Sequence, residues 1–273
     1  MGHADVVSRF PYEMAGWAAR LHSMKLVSVP GLGVTLLGFA VRPPSPYADP
    51  RVRKGIAAAI DRIRLLPEEE RKPSIPMDQF APAGVFGHIS GTSPAPPNLA
   101  ESARLLAEAG FPGGRQLRLT FADTHADVGR ALVKQLEAAG IRIAPEPLPQ
   151  PDFYARFAAD PPDLFLMSWA AGTGDGSDVL EALFHTPAGG LGTANRFGYS
   201  RPELDALVAR AARTLDPAAR RDALWAAFRL LAEDTPAIPL LLRSSLYAIR
   251  PDLEWTQSRN RRTRAVDLRP ARR

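Results

Sequence analysis

Between residues 116 and 143 the chain spells strand, helix, strand, and that order commits it to parallel pairing in a sheet. Leu117, Leu119 and Phe121 alternate as a half-buried strand does. Val128, Leu132, Gln135, Leu136 and Ala139 then recur on one face of a helix, with Thr124 offering a cap and Gly140 a stop. Ile141-Arg142-Ile143 opens the next strand. Two parallel strands cannot be joined by a tight turn, so the helix must cross over the sheet, and the expected class is α/β.

The flanks extend the pattern. Residues 25–29 and 33–41 read as two strands across a Pro30-Gly31 break, the second a nearly continuous apolar run of the kind buried on both faces. Asp49-Pro50 supplies a cap and a first-turn proline for a helix expected to run to about Arg64, with Val52, Ile56, Ala59, Ile60 and Ile63 at helical spacing. Residues 67–97 are proline-rich and aperiodic. A helix follows from Asn98 to Gly110. Asp152 opens another, carrying Phe153, Tyr154 and Phe157, and residues 163–169 form a strand that runs into a glycine-rich bend at 170–176. Beyond it come a helix over 179–184, a second glycine-rich loop at 189–198, a capping box Ser200-Arg201-Pro202-Glu203 that starts a helix to about Thr214, and a helix capped by Asp216-Pro217 that ends before Pro236. Residues 238–242 and 246–250 close the series as two strands.

Composition removes several classes of function. With no cysteine, disulfides, thiolate catalysis and cysteine-held metals are excluded. His3, His22, His88, His125 and His185 show no i,i+3 or i,i+4 pairing, so no metal constellation is visible and no cofactor is expected. No G-x-S-x-G elbow, Walker A loop, G-x-G-x-x-G turn or H-E-x-x-H helix occurs, and Gly172-Thr173-Gly174 is too short for a phosphate cradle. The formal charge of +5 is carried almost wholly by arginine, since Lys25, Lys54, Lys72 and Lys134 are the only lysines. Arg259, Arg261, Arg262, Arg264, Arg269, Arg272 and Arg273 crowd the end, but no aromatic interleaving or recognition motif accompanies them, so no nucleic-acid partner is expected. No stretch reaches the roughly 20 apolar residues of a membrane span. Residues 1–7 lack a basic segment followed by an apolar one, so no signal peptide is read in this chain.

The segments, taken in order, resemble the extracytoplasmic solute-binding proteins of family 5, which serve ABC importers of peptides, nickel and related solutes. Asp49-Pro-Arg-Val-Arg-Lys-Gly-Ile-Ala-Ala-Ala-Ile-Asp61-Arg62 looks like the family's VRxAxxxAIDR helix, and Leu105-Leu-Ala-Glu-Ala-Gly110-Phe-Pro-Gly-Gly like its LLAEAGYPDG segment. Val133-Lys-Gln-Leu-Glu-Ala-Ala-Gly-Ile-Arg-Ile143 followed by Asp163-Leu-Phe-Leu-Met-Ser-Trp169 is similar to QLxxIGIxV and DLxxxGW. Asn195, Tyr199-Ser-Arg-Pro-Glu-Leu-Asp-Ala-Leu207 and Leu231-Ala-Glu-Asp-Thr-Pro-Ala-Ile-Pro-Leu240 complete the series.

The resemblance implies a type II periplasmic-binding fold, two lobes with the solute between them, a short peptide or related solute as ligand, permease subunits as partners, no catalysis, and an extracytoplasmic site of action. Family chains run nearly twice this length. The expectation is therefore that this chain is mainly the C-terminal lobe, residues 46–236, flanked by 1–45 as a remnant of the first lobe with its crossover strands and by 237–273 as return strands and basic tail. On that expectation the chain, expressed as given, would stay in the cytoplasm, and the strand at 34–41 would lose neighbours and expose an apolar edge.

Candidate ligand-binding residues follow from the same resemblance and from the glycine-rich loops. Trp169 ends a strand at the first bend, where ligands of α/β folds collect, or it packs as a core-edge aromatic. Relatives that bind peptides place an aspartate three residues on from this tryptophan, for the peptide's amino group. Gly172 stands there instead, with Asp175 and Asp178 as possible substitutes. On the second loop, Asn195, Arg196 and Tyr199 either approach the solute, Arg196 suiting a carboxylate, or make a turn and pack. Two further classes stay open: a regulatory solute-sensing domain, and a hydrolase with dispersed carboxylates.

Overall fold

The computed structural model describes residues 4–21, 23–71, 74–111, 116–160, 162–255 and 264–271. His3, His22, Lys72, residues 112–114 at the end of the Leu105–Gly114 segment, and Arg259, Arg261, Arg262, Arg272 and Arg273 lie outside them. The strands are β1 Val6–Val7, β2 Lys25–Phe39, β3 Ile75–Pro76, β4 Leu117–Ala122, β5 Ile143–Leu148, β6 Leu164–Ala170, β7 Ala237–Ile249, β8 Leu253–Trp255 and β9 Leu268–Pro270. The helices are α1 Ala15–Ala18, α2 Pro50–Ala58, α3 Glu68–Arg71, α4 Leu99–Glu108, α5 Ala126–Ala138, α6 Gln150–Ala159, α7 Ser177–Val179, α8 Pro202–Arg213 and α9 Pro217–Asp234.

The expected α/β class is what forms. One mixed sheet runs β1-β7-β2-β6-β4-β5, with β3 also on β7. Parallel pairing joins β4 to β5 across α5 and β4 to β6, as the strand-helix-strand reading requires. Along β2 and β6 the side chains alternate between two cores. Leu36, Phe165 and Met167 face the core shared with α6, α8 and α9. Leu37, Phe39, Leu164 and Leu166 face the one shared with α2, α4 and α5. A run apolar at every position is thus a strand buried on both faces.

Several boundaries differ from the sequence reading. The two strands expected on either side of Pro30-Gly31 are one, β2, with a register shift against β7 between Pro30 and Val34. A proline cannot donate to the ladder, so the chain bulges there and does not stop. The two closing strands are likewise one, β7. Because β2 has β6 on one side and β7 on the other, the expected exposed edge at 34–41 does not exist. Residues 33–39 and 237–242 stand in the same sheet as β6.

The helix expected to reach Arg64 ends at Ala58. Gln135 brackets Asp61, accepting its N–H at 2.7 Å and donating to its C=O at 3.1 Å. Asp61 then caps a new 3-10 turn, which leaves Ile63 62% exposed instead of inward. Nor does the capping box form at Ser200. Arg201 is the N-cap residue and its side chain makes no capping bond, and the Ser200 hydroxyl lies 2.9 Å from that of Thr186. Thr124 caps nothing either, because a 3-10 turn, Asp123–His125, leads into α5.

Gly38 is where β2 lets a ring cross. A Cβ built there would lie 2.2 Å from the Phe165 ring, itself fully buried against Phe157 and Phe197. Gly38→Ala is expected to cost about 1–3 kcal/mol by overpacking, read from urea unfolding, and Phe165→Leu in the same chain should recover part of it. Equal losses in the single and double variants would show that the ring is not what the methyl group meets.

Candidate functional site

Parallel β4 and β6 end on the same side of the sheet, and the bulged part of β2 and the middle of β7 come up beside them. Residues of β2, β6 and β7, with Thr124 and His125 just after β4, Arg9, Phe10 and Tyr12, and Gln150 and Tyr154 of α6, line an open cleft of about 1030 Å³. Carboxyl ends of parallel strands are where α/β sheets place ligands, because the connections diverge there and leave a crevice.

A chain of polar side chains crosses the floor. Thr35 and Ser168 are cross-strand partners with their hydroxyls 3.0 Å apart. His125 Nε2 is 2.8 Å from Ser168 Oγ, and its Nδ1 is 3.2 Å from Thr124 Oγ1. Beside them Arg243 donates to Glu70 at 2.6 Å and to Asp127 at 2.8 Å. Burial disfavours that guanidinium, but Asp127 and Glu70 outweigh it and hold its pKa above the ordinary value. Tyr12 donates to the Ser244 carbonyl at 2.8 Å, and burial raises its phenol. The lining is therefore rich in hydroxyls, with its buried cation already neutralised by two carboxylates.

Burial, and then the charge of Arg243, pull the His125 pKa below 6.5, against the opposing pull of Asp127. The neutral ring is what the fold holds. Unfolded His125 takes its proton near the ordinary value, while the folded ring takes it only at lower pH. Stability present above about pH 6.5 is thus lost as pH falls through the folded value. Urea midpoints between pH 7.5 and 5 should drop less in His125→Gln than in the unaltered chain; an identical slope would locate the pH dependence elsewhere.

Of the seven residues singled out from sequence, Gly172 lines the cleft. Trp169 follows Ser168 and so takes the other face of β6, packing against the core with α9; its Nε1 is buried with no hydrogen-bond partner among the described residues. Asp175 is ion-paired to Arg220 of α9 at 2.9 Å and accepts the Ser177 N–H at 2.8 Å. Asp178 accepts from the N–H and hydroxyl of Thr173, each at 3.2 Å. Asn195 is buried and donates to the carbonyls of His185 and Tyr199 while accepting the Tyr199 N–H. Tyr199 is buried with its hydroxyl donating to Asp234 at 2.7 Å, and burial raises its pKa. Arg196 is exposed. In the proline-rich loop, Phe86 lies under Arg220 and His88 Nδ1 is 2.9 Å from the Ala81 carbonyl.

Thr35, His125, Ser168 and Arg243 were missed. Their signal was faint but present: each is a polar residue set into or beside an apolar strand run. Among the described residues no group of three or more potential ligands could hold a metal, and no helix is long and apolar enough to cross a membrane.

Comparison with known proteins shows the family and the fold. Residues 1–190 match the family described as bacterial extracellular solute-binding proteins, family 5 Middle. The glutathione-binding protein GsiB of Escherichia coli (strain K12) is 24% identical over 255 residues, 90% of this chain and 49% of its own length. The chain thus spans about half the length of the curated relatives it matches. Among solved structures, HbpA2 from Haemophilus parasuis superposes with a TM-score of 0.83 at 18% identity, over 99% of this chain and 54% of that one. DppA from Helicobacter pylori, solved with the peptide STSA, gives 0.82 at 18% identity, over 98% and 53%. The periplasmic murein tripeptide-binding protein MppA, in its unliganded open form, gives 0.78 at 23%, over 93% and 50%. These likenesses show a type II periplasmic-binding-protein fold, matched over about half of each neighbour. The chain belongs to the bacterial extracellular solute-binding proteins of family 5.

Proposed function

We propose that this chain supplies one wall of the solute site of an ABC-importer receptor, that its solute is a short peptide or a related small molecule, and that it works outside the cytoplasmic membrane with permease subunits. The observation that carries this is the hydroxyl-rich floor at the strand ends, Thr35, Ser168 and His125 with Tyr12 and Ser244, in an open cleft of about 1030 Å³. Neutral donors and acceptors suit the amide groups of a peptide better than a bare ion. Relatives named for glutathione, murein tripeptide and peptide binding support the same class. Gly172, at the edge of this floor, leaves room where a side chain would stand.

The test is a tetrapeptide titration followed by NMR. In the unaltered chain, shifts should concentrate on residues around Thr35, Ser168 and His125; Ser168→Trp, which fills the floor, should abolish them. Undiminished shifts in that variant would remove the cleft from consideration.

One contact favours a second reading, a hydrolase. Ser168 Oγ and His125 Nε2 stand 2.8 Å apart, the geometry of a hydroxyl beside its base, and the ring is held neutral. What orients Nδ1, however, is the Thr124 hydroxyl and not a carboxylate. Turnover of activated esters that disappears in Ser168→Ala would establish this reading; none above the solvent rate is the outcome expected of a receptor.

A further inference from the structure

At the start of β7, with Ile238 about 20 Å along the strand from Ser244 of the cleft at ~3.3 Å per residue, lies a second, smaller cavity of about 320 Å³. Its walls are mostly apolar: Phe80, Ile89, Phe228, Leu231 and Ile238, with Ala57, Ala232 and Ala237. Two charges reach it from separate segments, Arg62 from the 3-10 turn after α2 and Asp78 from the loop after β3. Arg62 Nε donates to the Pro239 carbonyl at 3.0 Å, and its two terminal amino groups make no hydrogen bond or ion pair among the described residues. The Asp78 carboxylate makes none either among the described residues, and although its charge acts on Arg62, no ion pair or hydrogen bond joins the two. Gln79 fixes the wall between them by donating to Ile89 O and Thr92 Oγ1 and accepting the Ile89 N–H.

We infer that this cavity is a second ligand site, for a free amino acid with an apolar side chain: carboxylate on Arg62, ammonium toward Asp78, side chain against Phe228 and Ile238. The volume lies at the lower end of ordinary small-molecule pockets, which run from about 300 to 1,000 Å³ and combine apolar walls with a few placed polar groups. A guanidinium and a carboxylate that have no ion-pair partner among the described residues, on the rim of a largely apolar cavity, are costly to keep dry, and a zwitterion answers both at once. Burial already pulls the Arg62 pKa below its ordinary value, with Asp78 offsetting only part of it, so an added carboxylate relieves a cost the fold now bears. A plain fatty acid would satisfy Arg62 and meet repulsion from Asp78; an apolar amine would do the reverse. The site is independent of the cleft reading and stands or falls separately from it.

Leucine titrated into the full chain, followed by methyl NMR and calorimetry, tests it. Expected are saturable shifts of Ile89 and Ile238, with Leu32 and Leu246 of the cleft unmoved, and a Kd below about 1 mM. 4-Methylpentanoate, lacking the ammonium group, and isoamylamine, lacking the carboxylate, should each bind at least tenfold more weakly. Asp78→Asn, which leaves Arg62 and its bond to Pro239 intact, should weaken leucine at least tenfold, and Arg62→Gln should do the same. Shifts confined to the cleft methyls, equal affinity for all three compounds, or full leucine affinity in a folded Asp78→Asn chain would each overturn the assignment.

Discussion

Arg53→Met should remove about 3–5 kcal/mol of folding stability, a large share of the ~5–15 kcal/mol that holds a domain together. The side chain is only 5% exposed and donates to four carbonyls in two distant parts of the chain. Nη1 reaches Tyr47 O at 2.6 Å and Ala48 O at 3.0 Å; Nε reaches Thr235 O at 2.8 Å, and Nη2 the Asp234 carbonyl. It thereby satisfies the end of α9, where Thr235 takes the left-handed conformation at φ 51° and the chain leaves the helix. Methionine keeps the volume and the apolar stem but orphans these acceptors, each costing roughly 1–3 kcal/mol if water cannot enter. Urea unfolding followed by tryptophan fluorescence measures the loss. A loss under ~1 kcal/mol would mean that solvent reaches the carbonyls and that the guanidinium is replaceable.

Arg53 also shows what the legible part of the sequence was legible for. It belongs to the helix segment 49–62, Tyr199 and Arg201 to the segment 199–207, and Asp234 to the segment 231–240, three separate stretches that carried the family resemblance. In the structure they meet: Tyr199 donates to the Asp234 carboxylate at 2.7 Å, Arg201 forms an ion pair with it, and Arg53 holds the carbonyl of the same residue. Asn195 sits on the adjoining turn with its amide fully engaged. Apolar periodicity gave the parallel pairing of β4 with β5 and the double-faced burial of β2 and β6, because those follow from local spacing and from the impossibility of leaving such runs wet.

The cleft was harder to read because its residues acquire meaning only from register. Ser168 and Trp169 are neighbours in sequence but face opposite sides of β6, and a reading that is one residue off exchanges the cleft for the core. Thr35 is informative only once it stands opposite Ser168, and His125 only once the 3-10 turn after β4 brings its ring to the Ser168 hydroxyl. Bulges and 3-10 turns of this kind are set by tertiary contacts, such as Gln135 bracketing Asp61, which no local pattern announces.

Short peptides should bind this 273-residue chain at millimolar strength, about a thousandfold more weakly than a receptor that closes on its ligand from two sides. The proposed solute site has its floor at the ends of β4 and β6, and the family resemblance implies a facing lobe that shuts out water on the other side. If each side contributes a comparable share of a micromolar affinity, about −8 kcal/mol in all, one side retains about −4 kcal/mol, which is millimolar. The true remainder is weaker still if the loss of rigid-body freedom on binding is charged in full to the single wall. A tetrapeptide is the appropriate probe, because it is too large for the cavity of about 320 Å³ beside Arg62 and so reports on the cleft alone. Titration by NMR should give shifts around Thr35, Ser168 and His125 that do not saturate below the millimolar range. A low-micromolar Kd would mean instead that the chain encloses its ligand with its own elements, and the segment bearing Arg9, Phe10 and Tyr12, which already borders the cleft, would be the one to truncate next.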